Sequence, residues 1–305
     1  MHKLIDHAVA EVNTVLLGKE QQVRLAICCL IAGGHLLIED LPGMGKTTLS
    51  QALGRVLGLN YNRVQFTSDL LPADILGTSI FDRNNNTFEF IAGPVFTQLL
   101  LADEINRATP KSQSALLEAM EERQVSIDGK TRSLPEPFFV IATQNPSGQA
   151  GTYPLPESQL DRFLMRISLG YPDREAERKL FLGVDSRKRL SQLQARIDLT
   201  QLKAIQAEVE QIHCSDDLLN YLHRLVDHTR FDEQFGVGLS PRGALSLLRC
   251  AKAWALMSGR KHVVPEDLQR VLPAVVEHRL AGGGNHQTDP ALLTQSLLKD
   301  VAVIA

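Results

Sequence analysis

The sequence predicts an α/β fold, a parallel sheet covered by helices on both faces, followed by a smaller all-helical unit. Three observations lead there. Short apolar runs that read as buried strands alternate with helical periods up to about residue 185, the pattern of a sheet whose connections cross its faces. Beyond that point strand signals stop and helical periods continue. The first strand signal, Leu36-Leu37-Ile38, runs through Glu39-Asp40-Leu41-Pro42 into Gly43-Met44-Gly45 and then a helix start at Lys46-Thr47-Thr48.

The elements follow in order. Leu4, Ala8, Val12 and Val15 recur at helical spacing and stop near Gly18. A second apolar helix spans Gln21 to Ala32 and is closed by Gly33-Gly34. The helix after the Gly-rich loop runs from Thr47 to Leu57 and ends at Gly58, and Tyr61 to Phe66 reads as a second strand. Residues 67–95 are rich in turn formers, with Thr87–Ile91 as one strand of a small hairpin whose tip is Asp82–Asn86. Phe96 to Leu101 reads as a short helix passing into an apolar strand. Lys111 to Glu122 is helical, with Ala115, Leu116, Ala119 and Met120 on one face. Val125 to Thr131 alternates around Asp128-Gly129, a hairpin signal. Phe138 to Ala142 is another buried strand, and Met165 to Leu169 a further one. In the C-terminal part, Leu218–Thr229, Pro241–Met257 and Pro265–Leu272 are helical, with Ser240 as an N-cap before Pro241. Gly282-Gly283-Gly284-Asn285 reads as a flexible break before a last helix.

Composition narrows the class. The chain has 305 residues, enough for two domains and a sizeable core. Its 44% hydrophobic and 22% charged residues are ordinary for a soluble globular protein. A net charge of −3 supplies no global field for nucleic acid. The N-terminus carries acids early and lacks a long apolar core, so it is not a signal peptide. No apolar stretch reaches the ~18 residues of a membrane span, and a cytoplasmic location is expected. Cys28, Cys29, Cys214 and Cys250 lack metal-ligand spacing and read as reduced thiols. His223 and His228 are spaced to miss a shared helix face and read as surface residues of the helical part.

The Gly-rich loop carries the first chemistry. Backbone N–H groups at a helix N-terminus point at an anion, and the helix dipole favours negative charge there. Gly43 and Gly45 let the backbone approach phosphates, with Asp40, Pro42, Met44 and Thr48 completing the cradle. Lys46 would reach the β- and γ-phosphates of a nucleoside triphosphate, and the Thr47 hydroxyl would sit on Mg²⁺. The signature asks for Gly at the position held here by Asp40, so a strict pattern search misses this loop.

Four more signals join it. Leu99-Leu100-Leu101-Ala102-Asp103-Glu104 is an apolar strand ending in two carboxylates at the edge where open α/β sheets bind ligands. Asp103 would hold Mg²⁺ through water, and Glu104 would orient and deprotonate an attacking water. The strand before Thr143-Gln144-Asn145-Pro146 ends in an amide, and Asn145 would hydrogen-bond the γ-phosphate or the lytic water. Arg162 falls between a helix and a strand, where an arginine can face a neighbouring subunit's γ-phosphate. Arg242, at the start of a helix in the second unit, would reach phosphates from there, and whether it serves its own loop or a neighbour's stays open.

These residues in this order resemble the AAA+ ATPases, and most closely their MoxR branch. The residues carrying the likeness are Glu39–Thr47, Gln65-Phe66-Thr67-Ser68-Asp69-Leu70-Leu71-Pro72, Ala102-Asp103-Glu104-Ile105-Asn106-Arg107-Ala108 and Ala115–Glu122, and it covers about residues 15–275. The resemblance implies an AAA+ P-loop αβα sandwich with a parallel sheet over 1–185 and a small α-helical lid domain over 186–305. It implies a Mg²⁺-dependent ATPase forming a homo-oligomer, usually a hexameric ring, with Arg162 acting in trans. Asp in place of the first loop glycine is usual in that branch. The hairpins near 81–91 and 125–134 would project toward a pore or partner. MoxR-like proteins are thought to be chaperones that mature protein complexes, metal-cofactor insertion included, often beside a protein with a von Willebrand factor A domain.

Two other readings compete. Helicase relatives share the inserts, so a DNA-translocating motor is the first. The hairpin charges, Lys130 and Arg132 against Asp128 and Arg83 against Asp82 and Glu89, disfavour it and nucleic acid as a partner. The second is a nucleotide switch without hydrolysis, against which Glu104 and Arg162 argue.

Overall fold

The computed structural model describes residues 1–146, 151–182, 186–280 and 289–303. Helices α1 (His2–Asn13) and α2 (Glu20–Ile31) lead into β1 (Leu36–Glu39), α3 (Lys46–Val56) and β2 (Tyr61–Gln65). A short helix α4 (Pro72–Leu76) precedes the hairpin β3 (Gly77–Asp82) and β4 (Thr87–Ala92). Then come β5 (Leu99–Asp103), a 3₁₀ turn (Ile105–Arg107), α5 (Pro110–Glu122), the hairpin β6 (Gln124–Ile127) and β7 (Lys130–Ser133), and β8 (Phe139–Gln144). The core closes with α6 (Glu157–Leu160), β9 (Met165–Ile167) and α7 (Arg174–Phe181). Helices α8 (Ser186–Gln192), α9 (Leu199–Glu210), α10 (Asp216–Phe231), α11 (Pro241–Met257), α12 (Pro265–Leu280) and α13 (Pro290–Asp300) form the C-terminal part.

The main sheet is parallel, in the order β2-β5-β8-β1-β9. Its inner strands are apolar up to the polar residues at their C-terminal ends because both faces are covered. The two-residue side-chain period sorts them into two cores. Leu36, Ile38, Leu99, Leu101, Phe139 and Ile141 pack on the face holding α1, α2, α3 and the C-terminal helices. Leu37, Leu100, Ala102, Val140 and Ala142 pack on the other, beneath α5. The C-terminal helices therefore share one apolar cluster with the N-terminal ones, and α11 packs on both α1 and α2.

The parallel register sets Gln65 beside Asp103 and Glu39 beside Gln144. The strand C-termini thus end level at one edge, and everything that follows them is delivered to that edge.

Several elements differ from expectation. No helix forms at Phe96. Residues 93–98 instead fold back, and Thr97 and Gln98 both bond the Asn60 backbone just before β2. Helix α4 appears within the turn-rich stretch, started by Pro72 and by the Asp74 carboxylate accepting the Leu71 N–H at 2.8 Å. Helix α12 does not stop at Leu272 but continues through Pro273 to Leu280. Proline removes one helical hydrogen bond, and burial of Ala274, Val275, Val276 and Leu280 against the shared core outweighs that loss. The Gly282–Asn285 break lies outside the described residues, as does the junction at 183–185. Cys28, Cys29 and Cys250 are free and buried, and burial pushes their thiols up; Cys214 is half-buried and also raised. His223 is exposed, while His228 is half-buried beside Asp232 at 3.5 Å. No helix among the described residues is long and apolar enough to cross a membrane.

Candidate functional site

Lys46 begins α3, and the residue before it, Gly45, has φ 94°. Gly43, at φ 84°, has open space where a Cβ would be. Both angles favour glycine, and the space beside Gly43 is what a phosphate approaching the backbone requires. The loop therefore forms a helix-N-terminal cradle with no side chain across its mouth at that point.

The Lys46 ammonium is buried. It donates to the Asp40 carbonyl oxygen and to Asn145 Oδ1 at 3.0 Å. Burial lowers its pKa, and the nearby carboxylates of Asp40, Asp103, Glu104 and Glu39 partly offset that. An incoming anion would meet a cation already aimed at the loop.

Asp40 stands in the loop with its carboxylate turned away from the cradle. Oδ2 accepts the N–H of Leu169 at 2.7 Å, the N–H of Gly170 at 2.6 Å and the Ser168 hydroxyl at 3.1 Å, and Oδ1 accepts the Leu41 N–H at 2.8 Å. A carboxylate facing a triphosphate would repel it. Here the charge is spent on donors beyond β9 and on the next backbone N–H, so in this structure the Asp40 carboxylate shapes the loop.

Asp103 and Glu104 leave β5 at the carboxyl edge, and Asn145 leaves β8 next to it. Glu104 has a left-handed backbone at φ 56°, a conformation that costs a non-glycine residue about 1–2 kcal/mol. The Thr143 hydroxyl, accepting the Glu104 N–H at 2.8 Å and donating to Asp103 Oδ1 at 2.6 Å, holds it there. The Glu104 carboxylate accepts from Asn145 Nδ2 at 3.2 Å and from Gln65 Nε2 at 2.9 Å, and pairs with Arg107 at 3.1 Å. Lys46, Asn145 and Glu104 thus form one chain of contacts. Thr47 follows Lys46 on the first turn of α3, and its hydroxyl with the Asp103 carboxylate would offer Mg²⁺ the hard oxygen donors it takes. Together with the open space at Gly43 and the aimed Lys46 ammonium, these residues fit a Mg²⁺–triphosphate.

The two arginines lie elsewhere. Arg162, between α6 and β9, pairs with Glu121 at 2.9 Å. Arg242, at the start of α11, reaches the same Glu121 at 3.1 Å and Asp161 at 4.0 Å. Glu121 lies in the last turn of α5, next to Met120, whose carbonyl contacts His35 just before β1. The three residues line a cleft of about 450 Å³ beside His35 and Leu164. That cleft lies at the N-terminal edge of the parallel strands, opposite Lys46. Arg242 thus sits beside Arg162 at that edge, away from its own loop.

Sequence reasoning overlooked Arg63 and gave Gln65, Asn106, Arg107 and Thr143 no role. Asn106 donates to the Asn145 carbonyl at 3.2 Å. Arg63 and Gln65 had a legible signal, polar residues at alternate positions of β2 that share a face. Thr143 had none beyond a hydroxyl near a strand end.

This sheet order, with a glycine loop between β1 and α3 and paired acids ending β5, defines a P-loop ATPase fold with a helical lid. Residues 35–165 match the family described as "ATPase family associated with various cellular activities (AAA)", and residues 227–300 match the AAA lid domain. Chaperone MoxR1 of Mycobacterium tuberculosis is 41% identical, over 98% of this chain and 82% of that protein. Protein MoxR of Paracoccus denitrificans is 32% identical, over 92% of this chain and 89% of that one. The crystal structure of a candidate ATPase from Cytophaga hutchinsonii superimposes with a TM-score of 0.90 at 36% identity, covering 100% of this chain and 96% of that one. The chain belongs to the MoxR family of AAA+ ATPases.

Proposed function

We propose that the protein hydrolyses ATP with Mg²⁺, as a cytoplasmic homo-oligomeric ring, usually hexameric in such proteins, and uses the energy to remodel or mature a client protein complex. The observation that carries the reading is the contact chain Lys46–Asn145–Glu104 beside Asp103 at the carboxyl edge of the sheet. Residues 1–185 serve as the nucleotide core and 186–305 as the lid.

In this reading the loop amides from Gly43 to Thr48 and the Lys46 ammonium bind and neutralise the triphosphate. Thr47 and Asp103 hold Mg²⁺, which when bound neutralises charge on the β- and γ-phosphates. Glu104 takes the proton of the attacking water, and Asn145 orients that water or the γ-phosphate. Lys46 must let go of Asn145 Oδ1 when phosphate arrives, which frees the amide for that task. Arg162 and Arg242, opposite their own loop, serve a neighbouring subunit's phosphate. Both now rest on Glu121, whose carboxylate keeps two guanidinium groups side by side.

The client, a metal-cofactor step and a partner with a von Willebrand factor A domain rest on the family likeness alone. Against a DNA motor stands the β3–β4 hairpin, whose strands expose Ile80, Phe81, Phe88 and Ile91 and whose single cation, Arg83, is set against Asp82 and Glu89. Exposed apolar strand faces suit a protein client.

A phosphate-release assay with a nucleotide-binding measurement tests the reading. Lys46→Ala is expected to abolish binding. Glu104→Gln is expected to bind ATP and to lose about 10²-fold or more of turnover. Near-wild-type turnover in Glu104→Gln would remove Glu104 from its role, and absence of phosphate release from the wild-type chain would leave the switch reading standing.

A further inference from the structure

Arg63 is the cation nearest the paired acids that the proposed mechanism does not use. It lies on the edge strand β2, whose register places Gln65 beside Asp103. Residues 63 and 65 share a face of that strand. The Arg63 guanidinium donates to Asp103 Oδ2 through Nε at 3.1 Å and Nη2 at 2.5 Å. Nη2 also donates to Gln65 Oε1 at 3.0 Å, and Gln65 Nε2 donates to Glu104 Oε2 at 2.9 Å. The other Asp103 oxygen is taken by the Thr143 hydroxyl.

We propose that Arg63 is a positioning residue that competes with Mg²⁺ for the Asp103 carboxylate and, through Gln65, ties that carboxylate to Glu104. The inference rests on Asp103 being the metal-side acid.

The chemistry is one of charge and amide polarity. The Asp103 side chain is only 9% exposed, and a buried carboxylate without a counter-charge is costly. Arg63 supplies that charge from the solvent side, where its own side chain is 45% exposed. A hydrated divalent cation drawn to the same oxygen repels the guanidinium, so engagement of the metal releases Arg63. The Gln65 amide is polarised by the same contact. Its oxygen faces the guanidinium and its nitrogen faces Glu104; a flipped amide would set like partial charges against both neighbours. Loss of the Arg63 contact therefore loosens the hold of Gln65 on Glu104. Metal arrival on one acid is in this way passed to the water-activating acid through two side chains of one strand.

The test titrates Mg²⁺ against binding of a fluorescent, non-hydrolysable ATP analogue to the full chain. Wild type, Arg63→Ala and Arg63→Lys are compared, each also in EDTA. Arg63→Ala is expected to reach half-maximal Mg²⁺ response at about two- to five-fold lower concentration, the scale of a partly exposed ion pair. Affinity in EDTA stays the same, and Arg63→Lys falls between. An unchanged midpoint in Arg63→Ala overturns the inference, as does equal weakening with and without Mg²⁺, which a merely structural pair would give. An Asp103→Ala chain whose midpoint equals that of wild type overturns the underlying reading of Asp103 instead.

Discussion

Asp40 has four hydrogen-bond donors on its carboxylate, three of them from residues 168–170, and its carbonyl holds the Lys46 ammonium. The loop position that a search pattern assigns to glycine here fastens the phosphate cradle to the chain leaving β9. Asp40→Ala orphans the buried Leu169 N–H and is expected to destabilise the fold by about 1–3 kcal/mol, read as a lower denaturant midpoint. His35 gives a second prediction at this scale. It is buried, accepts the Val140 N–H on Nδ1 at 2.9 Å and contacts the Met120 carbonyl through Nε2, and burial lowers its pKa to about 4. The unfolded chain takes up that proton near pH 6.5. Stability from neutral His35 is therefore complete above about pH 6.5 and is lost as pH falls toward 4, a change of about 3 kcal/mol. Unfolding curves at pH 7 and pH 4.5 check this, and His35→Gln should flatten the difference. Neither role was legible in the sequence, because the partners of both side chains come from distant parts of the chain.

The strands were legible wherever burial is two-sided. Leu99–Ala102 and Phe139–Ala142 are apolar throughout, and continuous apolar runs of that length between turn formers read as strands without tertiary information. The segment after β4 was not legible. Gly93 is pressed against backbone, where an added Cβ would fall 2.3 Å from the Ile75 carbonyl oxygen and 2.4 Å from the Gly77 nitrogen. That approach fixes the base of the β3–β4 hairpin, and it is why residues 93–98 fold back and do not form a helix. Gly93→Ala is expected to cost about 1–3 kcal/mol, seen as a lower melting temperature. Pro273 misled in the same way. A local rule ends a helix near proline, whereas α12 is held by what it packs against. His278 Nε2 contacts the Phe163 carbonyl at 3.1 Å, and Arg279 pairs with Asp161 at 2.7 Å, so the far half of α12 is anchored beside Arg162.

At the scale of the molecule, the phosphate loop and the arginine pair occupy opposite edges of one sheet. In the proposed ring, a chain so built would carry half of each of two sites. Mixing Lys46→Ala with Arg162→Ala chains tests this directly. Each variant alone is expected to lack hydrolysis, by about 10³–10⁵-fold for the arginine. The mixture is expected to regain activity at interfaces that join an intact loop to an intact arginine. No recovery on mixing, with mixed assembly verified, would place Arg162 outside the neighbour's site.

By itself the sequence determined the fold class, the loop, the acids ending β5 and the amide ending β8, because each is a local pattern: a strand, its end and the next turn. Only the tertiary structure decided which groups meet. It turned the Asp40 carboxylate away from the cradle, brought Arg63 onto Asp103 and seated Arg242 with Arg162 on Glu121. Those pairings depend on strand order and on the direction in which α5 and α11 return along the sheet. Both are set by burial of apolar faces between segments far apart in the chain, and no local pattern records them.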